Sequence, residues 1–78
     1  MQMMLGTRFA EMRQALGLTQ EGLARLLDMS GKTVYNWERG TQPVPRSVEY
    51  LLTLWLKNPQ RLRTYKRRSD KLKLDILT

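Results

Sequence analysis

Between Thr19 and Gly40 the chain reads TQEGLARLLDMSGKTVYNWERG, and few local structures suit that order of residues. Thr19 and Ser30 each carry a hydroxyl that can accept from the first free amides of a helix. Gly40 suits the left-handed position that ends one. Leu23, Ala24 and Leu27 recur at helical spacing after the first cap, and Asp28-Met29 is too short for a free loop. The stretch therefore predicts a helix over about 20–27, a tight turn, and a second helix over about 31–39. In that second helix Val34 and Trp37 point inward. Gly31, Lys32, Thr33, Tyr35, Asn36 and Arg39 occupy the other faces, which makes the outer surface largely one of hydrogen-bonding groups. Gly22 in the first helix is a weak point, at about 1 kcal/mol relative to Ala, or a place of close backbone approach.

The flanks read as supports for this pair. Leu5, Phe9, Met12 and Leu16 are spaced 4, 3 and 4 apart and predict a helix over about 3–16, closed by Gly17. Thr41-Gln42-Pro43-Val44-Pro45 is a stiff connector, because each proline fixes its own φ and pushes the residue before it toward extended geometry. Pro45 suits a first helical position, and Val48, Leu51, Leu52, Trp55 and Leu56 give the next helix a broad apolar face to about 57. Asn58-Pro59 is a break. Residues 60–67 predict a short fifth helix, with Leu62 and Tyr65 on one side of a basic surface. The alternation Lys71-Leu72-Lys73-Leu74-Asp75-Ile76 fits a half-buried strand paired with a second copy, although Leu72 and Ile76 also fit a helix or a frayed tail. The expected architecture is all-α, with four to five helices. Its divisions are a domain over 1–58 and a basic extension over 59–78.

Composition narrows the chemistry. With 78 residues, one small core is expected, and the absence of Cys and His removes thiolate nucleophiles, Cys-ligated zinc and the usual general base, so neither an enzyme nor a metal or other cofactor is expected. Glu11 and Glu49 read as surface charges. Apolar runs such as Leu51–Leu56 are far shorter than the roughly 18 residues a membrane span needs, and no signal-peptide pattern opens the chain, so a cytoplasmic protein is expected. The net charge of +7 is uneven, at +2 over residues 1–58 and +5 over 59–78. Such an excess attracts polyanions, whether nucleic acid or an anionic membrane surface, without reading sequence.

Two short helices about a tight turn, the second capped by Ser30 and rich in amide, hydroxyl and cationic side chains, describe a helix-turn-helix. A B-DNA major groove about 12 Å wide admits one α-helix. Within it Asn36 can pair bidentately with adenine, Lys32 can reach guanine O6 and N7, and the Thr33 methyl can touch a thymine methyl. Tyr35 is a further candidate, through its ring.

Leu18-Thr19-Gln20, the Leu23-Ala24 pair, Ser30, Val34 and the run Trp37-Glu38-Arg39-Gly40 together resemble the Cro/repressor type of helix-turn-helix protein, the XRE family, over about residues 5–57. The resemblance implies a lambda-repressor-like fold and double-stranded DNA as partner. It implies that Gln20 touches a phosphate and braces the recognition helix, and that Gly31 stands at a base-reading position; since Gly31 has no side chain to read with, it is expected, with Ser30, at the DNA backbone or minor groove. Bases would be read from Lys32, Thr33 and Asn36, with Arg39 and Arg46 on the backbone or minor groove. It also implies an internal ion pair between Arg13 and Glu38. Two positions depart from the family pattern: Asp28 stands where Gly is usual, and Gly31 stands where a longer polar side chain is common.

A domain of this size reads only a few base pairs, so a homodimer on a near-palindromic site is expected, with half-sites about 34 Å apart. Leu62, Tyr65, Leu72, Leu74 and Ile76 are the candidate contact. The expected role is a small bacterial or phage repressor, nucleoid-associated in the cytoplasm. The rival expectation is an antitoxin-like subunit whose tail binds a partner protein; a third is tail-driven attachment to RNA or a membrane surface.

Overall fold

The computed structural model describes residues 5–67, an all-helical arrangement. The helices are α1 (Gly6–Ala15), α2 (Gln20–Leu26), α3 (Gly31–Arg39), α4 (Arg46–Lys57) and a fifth, α5, over residues 59–67. The alternating segment at 71–76 lies outside the described residues, and so do Leu72, Leu74 and Ile76.

Each boundary has a local cause. Leu5 has extended backbone, with φ −70° and ψ 143°, so α1 starts at Gly6. Leu5 therefore does not head the apolar stripe as its spacing suggested, and it is 72% exposed. Phe9 and Met12 carry the buried face instead. Gly17 at φ 71° turns the chain out of α1. Thr19 caps α2 by accepting from the Gly22 amide at 2.9 Å. After α2, Asp28 takes the left-handed conformation at φ 56°, and the Met29 amide reaches back to the Ala24 carbonyl at 2.8 Å. Asp tolerates that geometry better than most residues with a Cβ. Ser30 then caps α3, accepting from the Thr33 amide at 3.3 Å, and Gly40 at φ 80° ends it. Pro45 is the residue before α4 rather than its first helical residue, because its ψ of 145° is extended.

The helices share one core. Phe9, Leu23, Val34, Leu52 and Trp55 are its largest fully buried side chains, with Met12, Leu18, Ala24, Trp37, Val44 and Val48 around them. Phe9 meets Trp37 edge to face, with centroids 5.7 Å apart and planes at 87°. Leu56, expected on the apolar face of α4, sits at its exposed edge. Helix α5 closes the same core: Leu62 is 6% exposed, and the Tyr65 ring lies 5.2 Å from Trp55. The Tyr65 hydroxyl donates to the Leu26 carbonyl at 3.0 Å, satisfying an acceptor at the end of α2. Leu62 is thus occupied within its own chain and is not free to face a second copy, a correction to the expected dimer contact. The side of α5 that Leu62 and Tyr65 share, opposite its basic residues, faces the core of the same chain.

Close approach of backbones occurs at Gly6 and not at Gly22. A Cβ at Gly6 would stand 2.6 Å from the Trp37 carbonyl oxygen and would also strike that of Glu38, whereas one at Gly22 would meet only the Thr19 hydroxyl at 3.0 Å. Beside that contact, a polar cluster joins three helices. Arg13 donates through Nε to Glu38 Oε2 at 2.7 Å and through Nη2 to Oε1 at 3.1 Å, while its Nη1 reaches the Leu18 carbonyl at 2.8 Å. Gln20 Nε2 donates to Glu38 Oε1 at 3.1 Å. The paired side chains are only 11% and 10% exposed. A pair so far from water contributes little net unless its spare donors and acceptors are satisfied, and here they are; removing one partner strands the other.

Three stability outcomes follow, measurable by chemical denaturation. Glu38→Ala lowers the unfolding free energy by about 2–4 kcal/mol, and the double change Arg13→Met with Glu38→Leu recovers much of that loss. Gly6→Ala costs about 1–3 kcal/mol because α1 must move off α3. Gly31→Ala, whose Cβ would meet Glu21 Cγ at an ordinary 3.5 Å, changes stability by less than about 1 kcal/mol.

Candidate nucleic-acid interface

The outer face of α3 follows from the burial of its inner one. Val34 and Trp37 are 0% and 4% exposed, which directs Lys32, Tyr35, Asn36 and Arg39, spaced by three and four residues, to the opposite side. Lys32, Tyr35 and Arg39 are exposed, and Asn36 is half-buried at their edge. The two groups with the strongest expectation of base contact are uncommitted. Neither the Lys32 ammonium nor the Asn36 side-chain amide has a hydrogen-bond partner among the described residues. The Asn36 main-chain carbonyl, by contrast, accepts from the Thr41 amide at 3.1 Å and the Thr41 hydroxyl at 3.1 Å, which anchors the connector to α3.

Thr33 and Ser30 form the start of the helix together. Their hydroxyls lie 3.1 Å apart, and Thr33 is half-buried. Thr33 is therefore tied into the cap, a local partnership that the sequence left unstated. Gly31 stands at the same end with the Glu21 side chain beside it. An acid there suits the positive end of the α3 dipole and also places a negative charge at the edge of the surface. Sequence reading missed Glu21 because it belongs to α2 and comes beside Gly31 only through the turn.

Gln20 is at the first residue of α2, with its amide nitrogen on Glu38 and its side-chain carbonyl oxygen left over. Arg39 donates through Nη1 to the Tyr35 hydroxyl at 2.9 Å, and its guanidinium carbon is 5.5 Å from the Tyr35 ring centroid. These two residues, assigned separately from the sequence, form one unit. Arg46 opens α4, exposed, in a shallow groove with Glu49, Tyr50 and Thr53. The structure thus gathers Lys32, Tyr35, Asn36 and Arg39 onto one face, holds Gln20, Arg13 and Glu38 together behind it, and leaves Arg46 on the next helix.

No described helix is long and apolar enough to cross a membrane. The model of the helix-turn-helix domain family matches residues 4–54, which spans α1 to most of α4 and includes the whole of the α2-turn-α3 unit. No curated protein matches the chain. With about two-thirds of its length matched and the two capped helices in place, the chain belongs to the helix-turn-helix family of DNA-binding domains.

Proposed function

We propose that this protein is a sequence-specific transcriptional regulator of the Cro/repressor type. It acts as a small bacterial or phage repressor that occupies a near-palindromic operator as a homodimer. The observation that carries the reading is the polar stripe on α3 opposite the buried Val34 and Trp37, in which the Lys32 ammonium and the Asn36 side-chain amide have no partner among the described residues. Side chains with free donors and acceptors on a helix that the core holds rigid are what base readout requires. Lys32 and Asn36 read bases, with the Thr33 methyl beside them. Gln20, Ser30, Gly31, Arg39 and Arg46 face the sugar-phosphate backbone. The role is non-enzymatic and sits in the cytoplasm on the nucleoid.

Residues 1–58 supply recognition in this reading, and 59–78 supply a basic extension that adds sequence-independent attraction. With Leu62 inside the core, the contact with a second copy in this reading falls on the groove lined by Leu51, Leu54, Trp55, Arg61, Thr64 and Tyr65. Leu72, Leu74 and Ile76 remain candidates for the same contact.

Selection of bound duplexes from a random library near physiological salt tests the whole reading. It should enrich an inverted repeat with half-sites about one helical turn apart. A single short site removes the dimer, and no enrichment removes specific recognition. On the enriched duplex, Asn36→Ala relaxes preference at one base pair by about 1–3 kcal/mol, whereas Arg46→Ala weakens all sequences alike. Uniform loss from both would show that Asn36 does not read a base.

A further inference from the structure

We propose that Tyr35 is a positioning residue for Arg39: it holds the guanidinium so that the free Nε–Nη2 edge grips one backbone phosphate beside the half-site. The inference rests on DNA binding through α3 and gives the Tyr35 side chain a role other than base reading.

Two contacts define the unit. Arg39 Nη1 donates to the Tyr35 hydroxyl at 2.9 Å, and the guanidinium lies 5.5 Å from the ring centroid. An exposed arginine at a helix end otherwise samples many rotamers, and ordering it on binding weakens the complex. With the hydroxyl fixing one nitrogen and the ring holding the carbon, much of that ordering is complete before DNA arrives. Arginine has five N–H donors in a planar fork, and the hydroxyl uses one. The Nε–Nη2 edge has no other partner among the described residues, and its two parallel donors match two oxygens of a phosphate.

Position along α3 selects a phosphate over a base. Recognition helices present their N-terminal residues to base edges. Arg39 is the last residue of α3, two turns beyond Lys32, and so stands at the opposite end of the helix from the residues presented to base edges. Lys32 and Arg39 are nearly in line on the helix, with Tyr35 and Asn36 on opposite sides of that line. Drawing the guanidinium toward Tyr35 therefore also keeps it off the Asn36 amide.

The test measures affinity of the full chain against salt, on the duplex enriched by selection or otherwise on mixed-sequence duplex at low salt. Tyr35→Phe keeps the ring and removes only the hydroxyl; since Tyr35 is 43% exposed, it leaves the fold intact. The expected result is a loss of about three- to tenfold for Tyr35→Phe and about tenfold or more for Arg39→Ala. The double variant Tyr35→Phe/Arg39→Ala then equals Arg39→Ala alone. Arg39→Ala lowers the salt slope by about 1, and Arg39→Lys keeps the slope while losing most of the affinity. Base preference is unchanged in all four. Losses that multiply in the double variant overturn the coupling, and a changed base preference in Tyr35→Phe or Arg39→Ala overturns the phosphate assignment. Wild-type chain that binds neither duplex overturns the DNA reading together with this one, whereas additive losses on a wild type that binds overturn this one alone.

Discussion

The carboxylate of Glu38 is where α1, α2 and α3 are joined. It accepts two bonds from Arg13 and one from Gln20, while Arg13 also reaches the Leu18 carbonyl that precedes α2. A helix of nine residues such as α3 has little helical stability in water by itself. Its direction relative to α2 is therefore a tertiary property. Apolar packing through Leu23, Val34 and Trp37 supplies most of the free energy, but a greasy contact tolerates small rotations. Three charge-assisted bonds with fixed geometry do not. The backbone contact at Gly6 adds a second constraint at the same place, because α1 can approach α3 this closely only without a Cβ.

That arrangement separates two tasks along one short helix. Val34, Trp37 and Glu38 face the body of the protein and determine where α3 lies. Lys32, Tyr35, Asn36 and Arg39 face outward and are free of the core's packing demands. Changes on the outer face leave unaltered how the helix is held. The Tyr35–Arg39 unit shows that the outer face is itself partly organised by contacts within the helix.

Helix α5 extends the same logic to the far end of α2. The Tyr65 hydroxyl ends on the Leu26 carbonyl, and the ring packs on Trp55, so a residue late in the chain completes the hydrogen bonding of a helix near its start. A seven-residue helix with a free C-terminal carbonyl frays readily, and this contact opposes it. The basic residues Arg61, Arg63, Lys66 and Arg67 are left on the exposed side of α5.

Much of this was legible in the sequence because it depends on neighbours. The caps at Thr19 and Ser30, the left-handed residues at Gly17, Asp28 and Gly40, and the apolar spacing of Phe9 with Met12 or Val34 with Trp37 are local features with local causes. Together they determined the helix-turn-helix and the polar face of α3. The misplacements arose where pattern alone has no direction. Leu5 matched the helical interval but precedes the helix, so the interval did not apply to it. Leu62 lay among basic residues, yet the turn at Asn58 brings it against the core. Gly22 drew attention because it interrupts a helix, while the true close approach at Gly6 involves carbonyls more than thirty positions away in α3. The Tyr65–Leu26 bond, the Gln20–Glu38 bond and the place of Glu21 beside Gly31 likewise join residues whose meeting depends on how the helices pack. The sequence by itself determined which helices form and which face of each is apolar, since caps and periodicity act within a turn or two of chain. Apart from the Arg13–Glu38 pair, which the family resemblance implied, only the tertiary structure decided which side chains meet across helices, because those contacts depend on crossing directions that no local pattern encodes.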